Sequence, residues 1–74
     1  MLLTLYSRLG CHLCDEMAAG LDAMGVAYSL VDIDRDPELK ARYDWDVPVL
    51  TGPAGEVCRH FFDPVAVRAA LKIS

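Results

Sequence analysis

The sequence predicts an α/β domain, a four-stranded mixed sheet with three helices in the order β-α-β-α-β-β-α. Three observations carry this expectation. Apolar segments rich in strand formers, "LLTLYS", "VAYSLVDI" and "VPVLT", alternate with segments whose apolar residues recur at helical spacing. Aspartate precedes proline at Asp36-Pro37 and again at Asp63-Pro64. There the carboxylate can accept orphan amide protons, and proline at the first helical position lacks a proton that would be unsatisfied anyway. Finally, "GPAG" is a tight turn, too short for a crossover, so the two strands it joins must run antiparallel.

In chain order, the first strand is expected over Leu2 to Ser7 and ends where Gly10 frees the backbone to turn. From Cys11 the spacing changes to that of a helix. Leu13, Met17, Leu21 and Met24 form one apolar stripe, Asp15 and Glu16 sit in the first turn, and Gly25 caps the end. "VAYSLVDI" is the second strand, parallel to the first because a helix joins them. The second helix runs from about Pro37 to Tyr43, the third strand is "VPVLT", and the fourth spans about Glu56 to Phe61. "VAVRAAL", after Asp63-Pro64, is a short final helix. The first and third helices are expected on one face of the sheet and the second on the other.

Seventy-four residues make one domain, taken as residues 1–74. A chain this size buries only about 60% of the surface it exposes when unfolded, so its core is thin. No apolar run approaches the ~18 residues that would cross a bilayer, and the start lacks a basic n-region, so a cytoplasmic protein without a membrane partner is expected. Net charge is −4, with carboxylates crowded into "DIDRDPELKARYDWD". That argues against nucleic acid, which needs cations to displace counterions. The acidic stretch is either a solvated face or a docking surface for a basic partner. A monomer is expected.

The three cysteines are Cys11, Cys14 and Cys58. A bridge from Cys11 to Cys14 closes so small a loop that chain entropy gives only ~2 kcal/mol, which makes a structural staple a poor explanation. In a reducing compartment the pair is reactive or metal-binding instead. Cys11 falls at the first turn of a helix, where unpaired N–H groups and the dipole favour a thiolate over a thiol. Arg8 adds to that effect and Asp15 opposes it. Cys14, one turn on, lies on the same face, within reach to resolve a mixed disulfide formed at Cys11. A metal site needs four ligands, and only His12, Cys58 and His60 are left to supply the others.

"YSRLGCHLC" after a strand, "DID" ending a second strand and "VPVL" some way on resemble a glutaredoxin of the thioredoxin superfamily, and in particular the small bacterial glutaredoxin-like proteins. The resemblance covers nearly the whole chain and implies a thioredoxin/glutaredoxin-like fold and a thiol–disulfide oxidoreductase. It makes Cys11 the nucleophile and Cys14 the resolving thiol, and implies a cis bond before Pro48. Val47 would then offer its carbonyl and N–H to a substrate backbone, like an added strand. Arg8 matches a basic residue that meets a carboxylate of glutathione. The substrate would be a disulfide-containing protein or a glutathionylated one; no cofactor or metal is bound, and glutathione serves as reductant or co-substrate.

The sequence departs from the family pattern in several places. His12 and Leu13 stand between the cysteines, where proline and an aromatic are usual. "RHFFDP" follows the fourth strand, with Phe61 and Phe62 in place of paired glycines, and Asp46 adds a negative charge near the expected ligand. Dithiol exchange is therefore better founded than glutathione recognition. His12 either tunes the leaving thiol or is a solvent-exposed filler, Cys58 is a buried small hydrophobe or a regulatory thiol, and His60 is an ordinary strand residue. Tyr43 and Trp45 either pack the second helix on the sheet or line a substrate groove. The competing class is a non-catalytic binding module of the same shape, docking through its acidic face or the Val47 edge.

Overall fold

A computed structural model of the chain describes residues 3–73, without the side chain of Ile73. The elements are β1 (Leu3–Ser7), α1 (His12–Ala23), β2 (Tyr28–Asp32), α2 (Pro37–Tyr43), β3 (Val49–Gly52), β4 (Gly55–Arg59) and α3 (Pro64–Ile73). They form one mixed sheet in the order β2-β1-β3-β4. β1 and β2 are parallel, whereas β1 with β3 and β3 with β4 are antiparallel. The fold is thioredoxin-like, as expected. Leu2, the expected first residue of the first strand, lies outside the described residues.

The pleat of β1 assigns the helices to faces. Leu3 and Leu5 are fully buried and cluster with Met17 and Leu21 of α1, Leu50 of β3 and Val67 of α3. Tyr6 points the other way and stacks on Tyr43 of α2, ring centroids 4.8 Å apart. α1 and α3 therefore cover one face and α2 the other. Among the described residues no helix is long and apolar enough to cross a membrane.

Local signals fix most element ends. Asp36 Oδ1 accepts the N–H groups of Glu38 (2.9 Å) and Leu39 (3.4 Å), and Asp63 Oδ1 those of Val65 and Ala66 (both 3.1 Å). Gly25, at φ +69°, donates to the Asp22 carbonyl while Val26 donates to Leu21, a Schellman end for α1.

Several boundaries differ from expectation, three of them at the loops that frame the site. A 3₁₀ turn, Ile33–Arg35, follows β2; Asp32 caps it by accepting the Asp34 N–H at 3.0 Å, which ends the strand sooner than "VAYSLVDI" suggested. β3 starts at Val49, after the Val47–Pro48 bond, which is cis. β4 stops at Arg59 rather than Phe61 because His60 takes a left-handed φ of +67°, so His60 is a turn residue and not a strand residue.

Candidate active site

The strand register gathers four loops at one edge of the sheet. Ser7 pairs with Asp32, Tyr6 with Val49, and Val49 with Arg59. The segments 8–11, 33–36, 44–48 and 60–63 therefore leave or enter the sheet together. The site residues expected from the sequence, Arg8, Cys11, His12, Cys14, Val47 and Pro48, all belong to this edge.

Cys11 and Cys14 are joined as a disulfide, Cα atoms 5.2 Å apart. The turn that delivers them closes with the Cys11 N–H donating to the Arg8 carbonyl at 3.2 Å, and Gly10 takes φ +78° inside it. Cys11 is the N-cap of α1 rather than its first helical residue, and its Sγ accepts the Cys14 N–H at 3.2 Å. This arrangement splits the pair by access. Cys11 is partly exposed, whereas Cys14 is only 3% exposed and faces inward. A thiolate at Cys11 would keep the Cys14 N–H and the positive end of a 12-residue helix.

Arg8 is held by two aspartates. Its Nε donates to Asp34 Oδ2 at 3.0 Å and its Nη2 to Asp34 Oδ1 at 3.0 Å. Nη1 donates to the Asp44 carbonyl at 3.2 Å, and Nη2 also pairs with the Asp44 carboxylate. These bonds hold the guanidinium pKa above its ordinary value, Asp34 contributing most. Neither aspartate stood out in the sequence as a partner, being 26 and 36 residues away.

His12 is 86% exposed and pairs with Glu16, Nε2 to Oε1 3.2 Å, on the outer face of the first helical turn. Around Val47 and Pro48, Asp46 donates its N–H to the Tyr43 carbonyl (2.9 Å) and His60 to the Pro48 carbonyl (2.8 Å), neither of which uses the Val47 main chain. Asp46 meets Arg59 at 3.2 Å, so its charge near the site is partly neutralised.

The aromatic residues divide between packing and exposure. Tyr43 packs on the sheet, as expected, but Trp45 is 88% exposed because the chain has left α2 by then. Phe62 turns into the protein against Gly20 of α1, while Phe61 is 68% exposed at the site edge. Cys58 lies on β4 against the core, and burial pushes its thiol pKa up, a backbone hydrogen bond at Asp63 opposing part of the effect. A pocket of about 340 Å³ runs between α1 and β2 past Leu30 and Ala18. The buried Cys14 lines it, and Cys11 is not among its lining residues. Among the described residues no group of three or more His, Cys, Asp or Glu is gathered as a metal would require.

A thioredoxin-like fold with a Cys-x-x-Cys pair at the start of its first helix is the architecture of thiol redox proteins. Residues 2–72 match the family model of the glutaredoxin-like domain (DUF836), and the chain belongs to that family. It is similar to protein XcR50 from X. campestris, with 41% identity, a TM-score of 0.80 and 97% of each chain covered. Protein Ne2328 from Nitrosomonas europaea is 34% identical, with a TM-score of 0.78 over 90% of this chain and 86% of that one. The glutaredoxin-like NrdH-redoxin from Escherichia coli, described as having a thioredoxin-like activity profile, is 25% identical, with a TM-score of 0.72 over 92% of this chain and 93% of that one. No curated protein matches the chain.

Proposed function

We propose that this protein is a thiol–disulfide oxidoreductase that reduces protein or mixed disulfides, with Cys11 as nucleophile and Cys14 as resolving thiol. One observation carries the reading: a partly exposed Cys11 at the helix N-cap, joined through its sulfur to Cys14, a residue only 3% exposed. The Cys11 thiolate attacks one sulfur of the substrate disulfide, a mixed disulfide forms, and the other substrate sulfur leaves as a thiolate that takes up a proton. Cys14, losing its proton, then attacks the Cys11 sulfur. The Cys11–Cys14 bond forms, the second substrate thiol departs, and two electrons have passed to the substrate.

An external thiol, with glutathione one such reductant, returns the pair to the dithiol. That step calls for a compartment in which thiols stay reduced, such as the cytoplasm. Among the described residues the loop's own hydrogen bonds use the Asp46 N–H and the Pro48 carbonyl, which leaves the Val47 main chain to a substrate segment laid beside it. Exposed Leu9, Trp45 and Phe61 belong to loops at the same edge and favour a protein substrate over a small thiol.

The test is trapping. Cys14→Ser should accumulate a mixed disulfide with a disulfide-bonded protein such as insulin, and Cys11→Ser should form none. Faster alkylation of Cys14 than of Cys11 at pH 6.5 in the reduced protein would reverse the roles. A thiol at Cys11 that reacts no faster than free cysteine would favour a non-catalytic module.

A further inference from the structure

Arg8 lies three residues before the nucleophilic cysteine, where a free guanidinium would attract any substrate bearing a carboxylate. It is not free. Asp34 accepts from Nε and Nη2, and Asp44 accepts from Nη1 through its carbonyl and from Nη2 through its carboxylate. An arginine has five N–H donors, and these bonds occupy most of the fork. The two carboxylates more than cancel its single positive charge, and a substrate carboxylate approaching Arg8 meets net negative charge. The same residue accepts the Cys11 N–H at its carbonyl, so the clamp joins the cysteine loop to the turn after β2 and to the end of α2.

We infer that Asp34 and Asp44 are specificity-determining positioning residues. By occupying the Arg8 guanidinium at the partly exposed surface they set the site against small carboxylate-bearing disulfides, the glutathione mixed disulfides among them, and towards disulfides presented on a protein chain. This rests on the oxidoreductase reading above. It assigns a role to two aspartates far from the cysteines in sequence, and it removes Arg8 as a ready carboxylate receptor.

The experiment compares pre-reduced wild type, Asp34→Asn/Asp44→Asn, and the same double variant carrying Arg8→Gln. Each is mixed in single turnover with two probes, a peptide–glutathione mixed disulfide and insulin. Neutral amides should release the guanidinium, lowering the half-saturating concentration of the glutathione probe about fivefold to tenfold at low ionic strength, with the maximal rate within about twofold. The gain should shrink in high salt and vanish when Arg8 is also replaced. Asp44→Asn alone, which leaves Arg8 bidentate to Asp34, should shift the same way by less, and it decides the matter if the double variant does not fold.

An unchanged half-saturating concentration in a folded variant overturns the inference, as does a gain that persists without Arg8. If wild type reduces insulin while the aspartate variants behave like it towards both probes, only this inference fails. If wild type reduces neither probe, the oxidoreductase reading fails and the inference with it.

Discussion

Cys58 differs from the other two sulfurs in what its surroundings ask of it. Half-buried on β4 against the core, it is held as the neutral thiol: burial raises its pKa most, a backbone hydrogen bond at Asp63 opposes part of the rise, and the negative charges of Asp63 and Glu56 add to it. A folded-state pKa above the unfolded one contributes stability that is fully present below the unfolded value of about 8.5 and is lost as pH rises through the folded value. Between pH 8 and pH 10, wild type with its disulfide intact should therefore lose more stability than Cys58→Ala, read as urea midpoints. Tyr28, whose pKa burial also raises, is present in both proteins and cancels in the comparison. Equal losses in the two proteins would show that Cys58 ionises as freely folded as unfolded.

Helix α2 is seven residues long and buries none of them completely, too short to hold together on propensity alone. It depends on its ends and one face: Asp36 caps the start, Tyr43 stacks on Tyr6, and Arg8 grips Asp44 just past the last turn. Asp36→Ala should cost about 1 kcal/mol. Its effect should concentrate in α2, with amide exchange rising there while β1 and α1 stay protected. Exchange that rises evenly along the chain would mean that α2 unfolds only with the whole domain.

Helix α1 makes the opposite demand at Gly20. A Cβ there would stand 2.7 Å from two ring carbons of Phe62. Alanine gains up to ~1 kcal/mol in helix propensity, but overpacking costs about 1–3 kcal/mol, so Gly20→Ala should lower stability. Adding Phe62→Leu should recover part of that loss, and a double-mutant cycle measures the coupling. Additive effects would contradict the contact.

For the whole molecule, a chain of this length is expected to be stable by roughly 4–11 kcal/mol, at ~0.05–0.15 kcal/mol per residue. Among the described residues its main cluster has Leu3, Leu5, Met17, Leu21, Leu50 and Val67 as its fully buried members. Leu5 and Leu30 face each other in the β1–β2 register, yet Leu5 is fully buried and Leu30, on the edge strand, is 63% exposed. Leu5→Ala should cost about 2–5 kcal/mol and bring the protein close to unfolding at 37 °C. Leu30→Ala should stay within about 0.5 kcal/mol. Similar losses for both, measured by urea unfolding, would mean that the β2 edge is covered in solution.

The features the sequence determined by itself are those governed by neighbours a few residues apart. The strand and helix order, the Asp36 and Asp63 caps, the Gly10 and Gly25 turns and the Cys11–Cys14 spacing each follow from a local steric or hydrogen-bonding rule. The tertiary structure decided what depends on residues brought together from far along the chain. It gave Arg8 its partners Asp34 and Asp44 and turned Phe62 inward while leaving Phe61 out. It exposed Trp45 where Tyr43 is packed, and it broke β4 at His60. The physical reason is that a side chain's partner is set by the meeting of loops at a sheet edge, and strand register, which a sequence encodes only through the packing of the whole, determines which loops meet.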